Sequence, residues 1–248
     1  MTNTSKKKLR LDELLLEREL VSSLKEAQAL IMSGEILVHE RPHSKPGELI
    51  ATSAVIRLRS EPSVYVSRGG LKLAHALKIF QVEVKDRVCL DVGASTGGFT
   101  DCLLQHGAQK VFAVDVGYGI LDDKLRRDPR VVVLERTNIR HFTPAMMRDA
   151  IDVVTIDVSF ISVEAVLPVI HTLIDGEAHV ITLIKPQFEV EKEEVGEGGI
   201  IRDPKLHQKA IDRILGAAKK LKWSVKGTTE SPIKGAKGNL EFLAHFVI

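Results

Sequence analysis

The chain has 248 residues, of which 44% are hydrophobic and 27% are charged. These values are ordinary for a globular protein and exclude a disordered chain or a fibrous repeat, while the length allows one large α/β domain or two smaller ones. The longest stretch without Asp, Glu, Lys or Arg runs for ten residues, Ala165 to Ile174. A membrane-spanning helix needs about 20 apolar residues, so none is expected. The polar, basic start is not that of a secretory signal.

Cysteine usage and charge suggest where the protein works. Cys89 and Cys102 are too few for a disulfide framework and lack metal-ligand spacing, so we expect reduced thiols, no metal site and a cytoplasmic location. The net charge is +2, and the whole excess lies in residues 1–70, which hold 11 Lys and Arg against 9 Asp and Glu. A basic start of this size is either a solvated tail or an arm that contacts phosphates. The candidate RNA contacts there are Lys6, Lys7, Lys8 and Arg10.

Residues 8–60 predict a small α+β unit. Leucines within 11–15 form one apolar helical face. Ser23 and Glu26 have the spacing of a capping box, which predicts a second helix that ends at Gly34. The remaining predicted elements are a strand over 35–38, a turn over 39–47 and a strand pair over 50–58.

Two helices followed by a small sheet resemble the αL RNA-binding module, which occurs in a small-subunit ribosomal protein and in many RNA-modifying enzymes. The matching pieces are Arg10-Leu11-Asp12, Ala27-x-x-Leu30-Ile31-x-x-Gly34 and Lys45-Pro46-Gly47. The resemblance implies that residues 1–60 form an RNA-binding domain. Leu24 stands where the module usually has Arg, and His39-Glu40 stands where its turn usually has Asn-Gly, so we expect this binding to be weak. A small structural domain without a ligand is the alternative.

A linker and a larger domain follow. Pro62, Ser63 and the pair Gly69-Gly70 predict a linker over 61–70. In the remainder, 71–248, strands alternate with helices, which predicts a doubly wound, mostly parallel, Rossmann-like sheet of seven strands. The predicted strands are 87–92, 110–114, 131–134, 151–156, 179–184, 224–229 and 240–247, and the predicted helices include 97–106, 163–173 and 204–221.

A glycine-rich turn follows the first strand of that sheet. The strand runs into Gly93-Ala94-Ser95-Thr96-Gly97-Gly98, and a helix comes next. Such a turn lets a ligand approach the backbone closely. Ser95 stands where the dinucleotide fingerprint needs a glycine, so a pyrophosphate cradle is not expected. The pattern suits S-adenosylmethionine instead, which has no phosphate and whose ammonium group needs a carboxylate that Asp91 can supply.

The second and third strands end in polar residues that suit the nucleoside part of the same cofactor. Asp115 follows the second strand, where a carboxylate can accept hydrogen bonds from both ribose hydroxyls, and Thr137-Asn138 follows the third strand, at the depth of an adenine ring. A Rossmann-like domain with no ligand at this turn is the alternative. The candidate cofactor residues are Asp91, Gly93, Ala94, Ser95, Thr96, Gly97, Asp115, Val116, Thr137 and Asn138.

A carboxylate and a lysine follow the fourth and fifth strands. Asp157 and Lys185 stand at these carboxyl ends, where such sheets place their chemistry. The chain lacks the Asn/Asp-Pro-Pro-aromatic stretch common in amino-group methyltransferases. A ribose hydroxyl needs a base, and a lysine can act as one when burial or a second cation favours its neutral form. Lys72 could be that cation, and Glu241 could orient a lysine. Taken singly, each would more often be a surface charge.

Residues 8–248 resemble the TlyA family. Its members are labelled hemolysins and are also known as ribosomal RNA cytidine-2'-O-methyltransferases with an FtsJ-like catalytic domain. The family's Lys-Asp-Lys-Glu tetrad falls on Lys72, Asp157, Lys185 and Glu241, and Arg68 joins the candidate RNA contacts. The matching stretches are Ser67-Arg68-Gly69-Gly70-x-Lys72-Leu73, 91–101, Val114-Asp115-Val116-Gly117-Tyr118-Gly119, Glu135-Arg136-Thr137-Asn138, 157–162, Lys185-Pro186-Gln187-Phe188-Glu189 and Gly238-Asn239-x-Glu241-Phe242.

The resemblance implies methyl transfer from S-adenosylmethionine to cytidine 2'-hydroxyls of ribosomal RNA, with ribosomal RNA or ribosomal subunits as partners and no membrane. Seven residues follow Glu241, which leans towards the shorter family form that modifies only the large subunit. The linker is expected to couple RNA docking to cofactor binding. Two other readings remain: a cytolytic protein, as the hemolysin label implies, and an RNA-binding assembly factor without catalysis. The target nucleotide and the oligomeric state stay open.

Overall fold

The computed structural model describes residues 8–21, 23–32, 34–39, 41–43, 45–58, 64–147, 149–235 and 238–248, except for the side chain of Pro42. The chain divides into two compact units between Ser63 and Val64. Among the described residues, no helix is both long and apolar enough to cross a membrane.

The first unit packs two helices against short strands. Its core is formed by apolar residues of both helices and of the strands, among them Leu14, Ile31 and Ile36. The elements are β1 Lys8–Arg10, α1 Leu11–Glu17, α2 Leu24–Met32, β2 Ile36–Val38, β3 Arg41–Pro42, β4 Leu49–Ala51 and β5 Ile56–Leu58. Ser23 accepts the backbone N–H of Glu26 at 3.2 Å, which is one half of the predicted capping box.

Strand pairing in the first unit differs from the prediction. The segment over 50–58 does not form a strand pair, because β4 pairs with β1 and β5 pairs with β2, all antiparallel. The predicted turn over 39–47 contains β3, which also pairs with β2. These strands are only two or three residues long, and β4 and β5 pair with segments more than 15 residues away, so local periodicity gives no signal for their partners.

The second unit is built on one seven-stranded sheet, as predicted. The strand order is β11-β12-β10-β9-β6-β7-β8, and only β12 runs antiparallel to its neighbours. The strands are β6 Val88–Val92, β7 Lys110–Val114, β8 Val131–Leu134, β9 Val153–Ile156, β10 His179–Ile184, β11 Ser224–Glu230 and β12 Phe242–Val247. The predicted Rossmann-like architecture is therefore confirmed.

Helices cover both faces of this sheet. Successive residues of one strand pack into different cores, as Cys89 and Leu90 of β6 do, because side chains alternate along a strand. Leu73 of the first helix packs with Cys89, and Ile214 of the last helix packs with Leu90. The helices are α3 Gly69–Phe80, α4 Gly98–Gln105, α5 Asp123–Arg126, α6 Leu167–Leu173, α7 Pro186–Glu189 and α8 Pro204–Lys220.

Several predicted boundaries in the second unit shift by one or two residues, as at the starts of β9 and β12, and two others differ in the kind of structure. The helix expected over 163–173 begins as a 3₁₀ turn, Val163–Ala165, and becomes α-helical only at Leu167, where Pro168 occupies the first turn. Gly69 and Gly70 belong to α3 rather than to the linker. A Cβ on Gly70 would lie 2.2 Å from the Tyr65 ring, so this glycine allows close packing rather than chain flexibility.

Five strands of the sheet end on the same side, which is the edge formed by the C-terminal ends of the parallel strands. The parallel strands β6 to β10 all end there, at residues such as Val92, Ile156 and Ile184. Phe242 pairs with Ile184, so the antiparallel β12 begins at the same edge and brings Glu241 there. This edge therefore carries every predicted catalytic residue that belongs to a strand end.

Candidate active site

The glycine turn after β6 lies directly against the loop after β9. Gly93 has a φ of +85°, and a Cβ there would lie 2.4 Å from the carbonyl oxygen of Asp157. Its backbone N–H donates to the carbonyl of Val114 at 2.8 Å. No side chain fits in this space, so glycine is required for the two strand ends to approach.

Gly97 has a different task from the one predicted. It caps the start of α4 with a φ of +98°, and a Cβ there would lie 2.1 Å from Leu125. Gly97 is absent from the linings of both cavities at this edge, whereas Gly93 lines both. The residue thus shapes the turn rather than forming a ligand surface.

Asp91 does not face a cavity, which corrects the prediction that it meets the cofactor's ammonium group. Its side chain is fully buried, and its two oxygens accept hydrogen bonds from Thr100 at 2.6 Å and from Thr155 at 3.0 Å. Burial raises the pKa of Asp91 to about 6, and the threonine hydroxyls oppose that rise. The carboxylate instead ties α4 and β9 to β6.

A cavity of about 450 Å³ lies where β7 and β8 end, and six predicted cofactor residues line it: Gly93, Ser95, Asp115, Val116, Thr137 and Asn138. Asp115 accepts the backbone N–H of Ser95 at 2.8 Å on one oxygen and that of Gly117 at 2.7 Å on the other. A carboxylate oxygen can accept two hydrogen bonds, so each oxygen of Asp115 retains capacity for a hydroxyl donor.

The polar rim of this cavity is fixed by local hydrogen bonds. The carbonyl oxygen of the Asn138 side chain accepts the backbone N–H of Arg140 at 3.0 Å and so caps a 3₁₀ turn. Glu135 accepts the N–H of Gly119 at 3.0 Å and pairs with Arg126. The Arg126 guanidinium is the main cause that lowers the pKa of Glu135 to about 2. The loop beside Asp115 is therefore held before any ligand arrives.

A second cavity, of about 540 Å³, contains all four residues of the predicted tetrad. Lys72, in the first turn of α3, donates to Glu241 at 2.5 Å, and the Glu241 side chain is only 3% exposed. Taking two charges out of water is unfavourable unless they pair, so burial explains why these side chains are in contact.

The other half of the tetrad is also an ion pair. Lys185, at the end of β10, lies with its Nζ 2.6 Å from Oδ1 of Asp157 and donates to Ser159 Oγ at 2.8 Å. The side chains of Lys185 and Asp157 are 11% and 21% exposed, so both are accessible from the cavity. Among the described residues, two lysines thus reach this cavity, and each is paired with a carboxylate.

The two cavities adjoin each other. Gly93, Ser95, Asp157, Ser159 and Phe160 line both of them. The arrangement can hold a ligand that extends from the ends of β7 and β8 to the lysines. The Phe160 ring stands at the junction, 92% exposed and with a φ of +65°, and its ring centroid lies 5.3 Å from that of Phe188.

The sequence profile of FtsJ-like methyltransferases matches residues 65–247, which include the whole of this site. The chain belongs to the FtsJ-like methyltransferase family. As a methyltransferase of this kind, it uses S-adenosylmethionine as its cofactor. We call the cavity that contains Lys72 and Lys185 the lysine cavity. The site fits that cofactor, because the backbone at Gly93, the carboxylate of Asp115 and the lysine cavity leave backbone groups and hydrogen-bond acceptors open at the ends of the strands.

The chain is also similar to named relatives over nearly its whole length. It is 43% identical over 237 residues to the 16S/23S rRNA (cytidine-2'-O)-methyltransferase TlyA of Mycobacterium tuberculosis, covering 95% of this chain and 88% of that protein. It is 49% identical over 243 residues to YqxC of Bacillus subtilis, provisionally named an rRNA methyltransferase, covering 98% of this chain and 86% of that protein. A solved structure from Streptococcus thermophilus, provisionally named a hemolysin, has 40% identity, a TM-score of 0.76 and coverage of 98% and 89%.

The remaining predicted site residues fall into two groups, those at the lysine cavity and those in the N-terminal segment. Ala94, Thr96 and Arg68 line the lysine cavity. Of the N-terminal candidates, Lys8 is exposed, and Arg10 forms a two-point contact with the buried Asp12, at 3.0 and 2.7 Å. This contact occupies part of the Arg10 guanidinium. Lys6 and Lys7 lie outside the described residues.

Several residues that line the lysine cavity were not predicted as site residues: Ser67, Ser159, Phe160, Gln187 and Asn239. Ser159, Phe160 and Gln187 follow the ends of β9 and β10 by only a few residues, which is the signal that could have identified them. Asn239 is buried and joins two loops, because its amide accepts from Ile201 N–H and donates to the Gly199 carbonyl, each at 2.8 Å. Local sequence gives no sign of that pairing.

Proposed function

We propose that this protein transfers a methyl group from S-adenosylmethionine to the 2'-hydroxyl of cytidine in ribosomal RNA. The observation that carries the proposal is the single cavity in which Lys72 pairs with Glu241 and Lys185 pairs with Asp157. It adjoins a second cavity that presents Asp115. The TlyA relative, 43% identical over most of both chains, carries this activity in its name.

The cofactor would be held across the adjoining cavities. Asp115 would accept the ribose hydroxyls, and the groups at Val116, Thr137 and Asn138 would enclose the adenine. The backbone of the turn from Gly93 to Thr96 would lie against the amino-acid part. Because the loops around Asp115 are already fixed by Ser95, Gly117 and Glu135, little ordering is needed on binding.

Residues that line the lysine cavity would carry out the proton transfer. S-adenosylmethionine supplies a methyl group on a sulfonium, and the sulfur keeps the electron pair of the C–S bond when that bond breaks. Lys185, in its neutral form, accepts the proton of the 2'-hydroxyl as the hydroxyl oxygen forms its bond to the methyl carbon. Asp157 holds the resulting ammonium group. Lys72, held by Glu241, stabilises negative charge that develops on the hydroxyl oxygen.

The RNA would be recruited by groups outside the tetrad. We assign this task to the N-terminal residues 1–60, through Lys6, Lys7, Lys8 and Arg10, and to Arg68 at the lysine cavity. The exposed ring of Phe160 is suited to stacking on a nucleobase, since base–aromatic stacking contributes about 1–3 kcal/mol. Ribosomal RNA or ribosomal subunits would be the partners, which would place the protein in the cytoplasm.

Two other functions receive less support. Cytolysis is favoured by the hemolysin names of some relatives, but by no feature of the described site. A catalytically silent assembly factor would have no need of two buried or half-buried lysine–carboxylate pairs facing one cavity, since isolated buried charges are costly to maintain.

The direct test is a mass-spectrometric map of 2'-O-methylcytidine in ribosomal RNA. We expect modified cytidines in cells that express the protein and none at those positions in cells without its gene. Purified protein should restore the same modifications when it is given S-adenosylmethionine and unmodified subunits. An identical map with and without the gene, together with no transfer in vitro, would overturn the proposal.

The role of Lys185 has its own test. The Lys185→Ala variant should slow single-turnover methylation by about 10²–10⁴-fold, the usual contribution of a positioned general base, while S-adenosylmethionine affinity stays nearly constant. Lys220→Ala, which removes an exposed lysine at the end of α8, is the matched control and should react at the wild-type rate. A Lys185→Ala rate within threefold of wild type would remove this lysine from the mechanism.

A further inference from the structure

Ser159 has a direct contact with the predicted catalytic lysine. Its hydroxyl oxygen accepts a hydrogen bond from Lys185 Nζ at 2.8 Å. Ser159 also lines both cavities, so it stands where the cofactor and acceptor spaces meet. No role was predicted for this serine, and the tetrad residues alone do not explain why a hydroxyl is placed there.

The two partners of Lys185 do different things. Oδ1 of Asp157 lies 2.6 Å from Nζ, yet among the described residues that oxygen has no partner with hydrogen-bond angles. The Asp157 contact therefore supplies charge but little direction. The Ser159 contact has hydrogen-bond geometry and so constrains the orientation of the Nζ group.

Direction matters because a neutral amine has one lone pair. If one N–H of Lys185 points to Ser159, the lone pair is confined to the other two tetrahedral positions of Nζ, and the charge of Asp157 attracts the second N–H towards one of them. A proton acceptor must lie within about 3 Å of the donor oxygen and be aligned with it, and small displacements cost much of the rate. A fixed N–H towards Ser159 limits the rotation of Nζ about its own bond.

The loop that carries Ser159 is itself fastened. The buried carboxylate of Glu189 accepts the Ser162 hydroxyl at 2.5 Å and the Val163 N–H at 2.8 Å. The Glu189 carbonyl accepts from Arg213 of α8 at 2.8 Å. These contacts anchor the loop three to four residues after Ser159 without involving the cavity, so they limit how far Ser159 can move away from Lys185.

We propose that Ser159 is a positioning residue, which aims the lone pair of Lys185 at the acceptor hydroxyl and holds the ammonium group after proton transfer. The inference rests on the proposed function, in which Lys185 is the base. It predicts that the Ser159 hydroxyl affects the rate of the chemical step and not cofactor binding, although Ser159 borders the cofactor cavity.

The test compares three serine variants in single-turnover methylation with saturating cofactor. Ser159→Ala should slow the reaction by about 10- to 100-fold, the range expected for a hydrogen bond to a charged group. Ser159→Thr keeps the hydroxyl and should recover most of the rate. Ser162→Ala is the matched control, because it loosens the same loop without touching Lys185, and it should lose much less rate than Ser159→Ala.

Two further readouts separate positioning from a merely structural effect. The affinity for S-adenosylmethionine, measured by titration calorimetry, should stay within about twofold in Ser159→Ala. The acidic limb of its pH–rate profile should move to lower pH, because the ammonium form of Lys185 loses an acceptor while Asp157 remains in contact and Lys72, Glu241 and Arg68 still line the cavity. Ser162→Ala should leave that limb unchanged.

The outcomes distinguish this inference from the proposed function. If wild type methylates ribosomal RNA but Ser159→Ala reacts within threefold of it, the positioning role is wrong while the function stands. A rate loss matched by Ser162→Ala, or by an equal loss of cofactor affinity, would also overturn it. If wild-type protein methylates no cytidine, the proposed function fails first and the Ser159 comparison is made with whichever hydroxyl substrate is methylated.

Discussion

Two carboxylates at neighbouring strand ends show how surroundings determine the work of a side chain. Asp91 is enclosed by threonine hydroxyls and has no open face, whereas Asp115 holds two backbone N–H groups and still faces a cavity. Asp91 is the penultimate residue of β6 and Asp115 directly follows β7, so position alone made both of them candidate ligands of the cofactor. Only Asp115 retains the accessibility that a ligand requires.

We expect Asp115→Ala to weaken S-adenosylmethionine binding by about 1.5–3 kcal/mol, the scale of hydrogen bonds to a charged group. Titration calorimetry measures this change directly. Asp123→Ala is a suitable control, because that carboxylate is 69% exposed on the nearby α5, and its removal should leave the affinity unchanged. A thermal scan of both variants checks that the loop around Gly117 has not unfolded. Unchanged affinity in Asp115→Ala would show that the ribose hydroxyls bind elsewhere.

Single residues were predictable where chemistry and strand ends coincide. Lys185 and Asp157 follow buried strands directly, and the resemblance to a known tetrad selected Lys72 and Glu241. The enclosure of Asp91 was not predictable, because Thr100 and Thr155 stand 9 and 64 residues away along the chain. The same holds for Asn239, whose partners are about 40 residues distant.

At the scale of elements, the length and composition of an apolar run determine how accurately a strand can be predicted from the sequence. The strands β7, β8 and β10 match their predicted bounds, because each is a short, largely apolar run of the kind that a covered parallel sheet accommodates, although β8 at the end of the sheet is only half-buried. The strands of the first unit are two or three residues long, and both β1 with β4 and β2 with β5 pair across long stretches of chain. Neither β1 nor β3 was predicted as a strand, because runs this short give no periodic signal.

A histidine pair joins β10 to β12 and should make the sheet sensitive to acid. Nδ1 of His179 lies 3.0 Å from Nε2 of His245, and the rings are stacked, with His245 also against Phe80. Burial lowers the pKa of His245 to about 4, and positive charge at His179 and Lys226 acts in the same direction. His245 is therefore neutral in the folded protein at pH values where it is charged in the unfolded chain.

The sign of the pH dependence follows from proton counts. Between about pH 6.5 and 4, the unfolded chain binds a proton at His245 that the folded protein does not, so stability is full above this window and falls as the pH falls through it. Asp91, whose pKa is raised to about 6, acts in the opposite direction over a similar range. A comparison with His245→Gln isolates the histidine, because Asp91 is common to both proteins.

From pH 7.5 to 5, wild type should lose up to about 2 kcal/mol more unfolding free energy than His245→Gln, as a shift of this size implies. Reversible urea unfolding at the two pH values measures the difference. The absolute stability of His245→Gln does not affect the comparison, since the loss of unfolding free energy between the two pH values is measured within each protein. Equal losses in the two proteins would mean that His245 becomes charged in the folded state without cost.

At the scale of the whole molecule, the two compact units divide the chain between Ser63 and Val64, and the profile of the methyltransferase family begins at residue 65. All the described residues that line the two cavities belong to the second unit. The first unit has its own small core and carries Lys8 and Arg10. Cofactor binding and RNA docking are therefore expected to be separable.

Deletion of residues 1–63 tests that separation. The remaining chain retains both cores that cover the sheet, so we expect it to fold and to bind S-adenosylmethionine with measurable affinity. Methylation of ribosomal subunits should fall by at least about tenfold at physiological salt, because contacts to RNA phosphates are lost and each contributes through counterion release. For the same reason, subunit binding by the full chain should weaken as salt rises, with a steeper slope than for the truncated chain. A truncated protein that methylates subunits at the full rate and with the same salt dependence would assign RNA docking to the second unit alone, where Arg68 and Phe160 stand at the cavity.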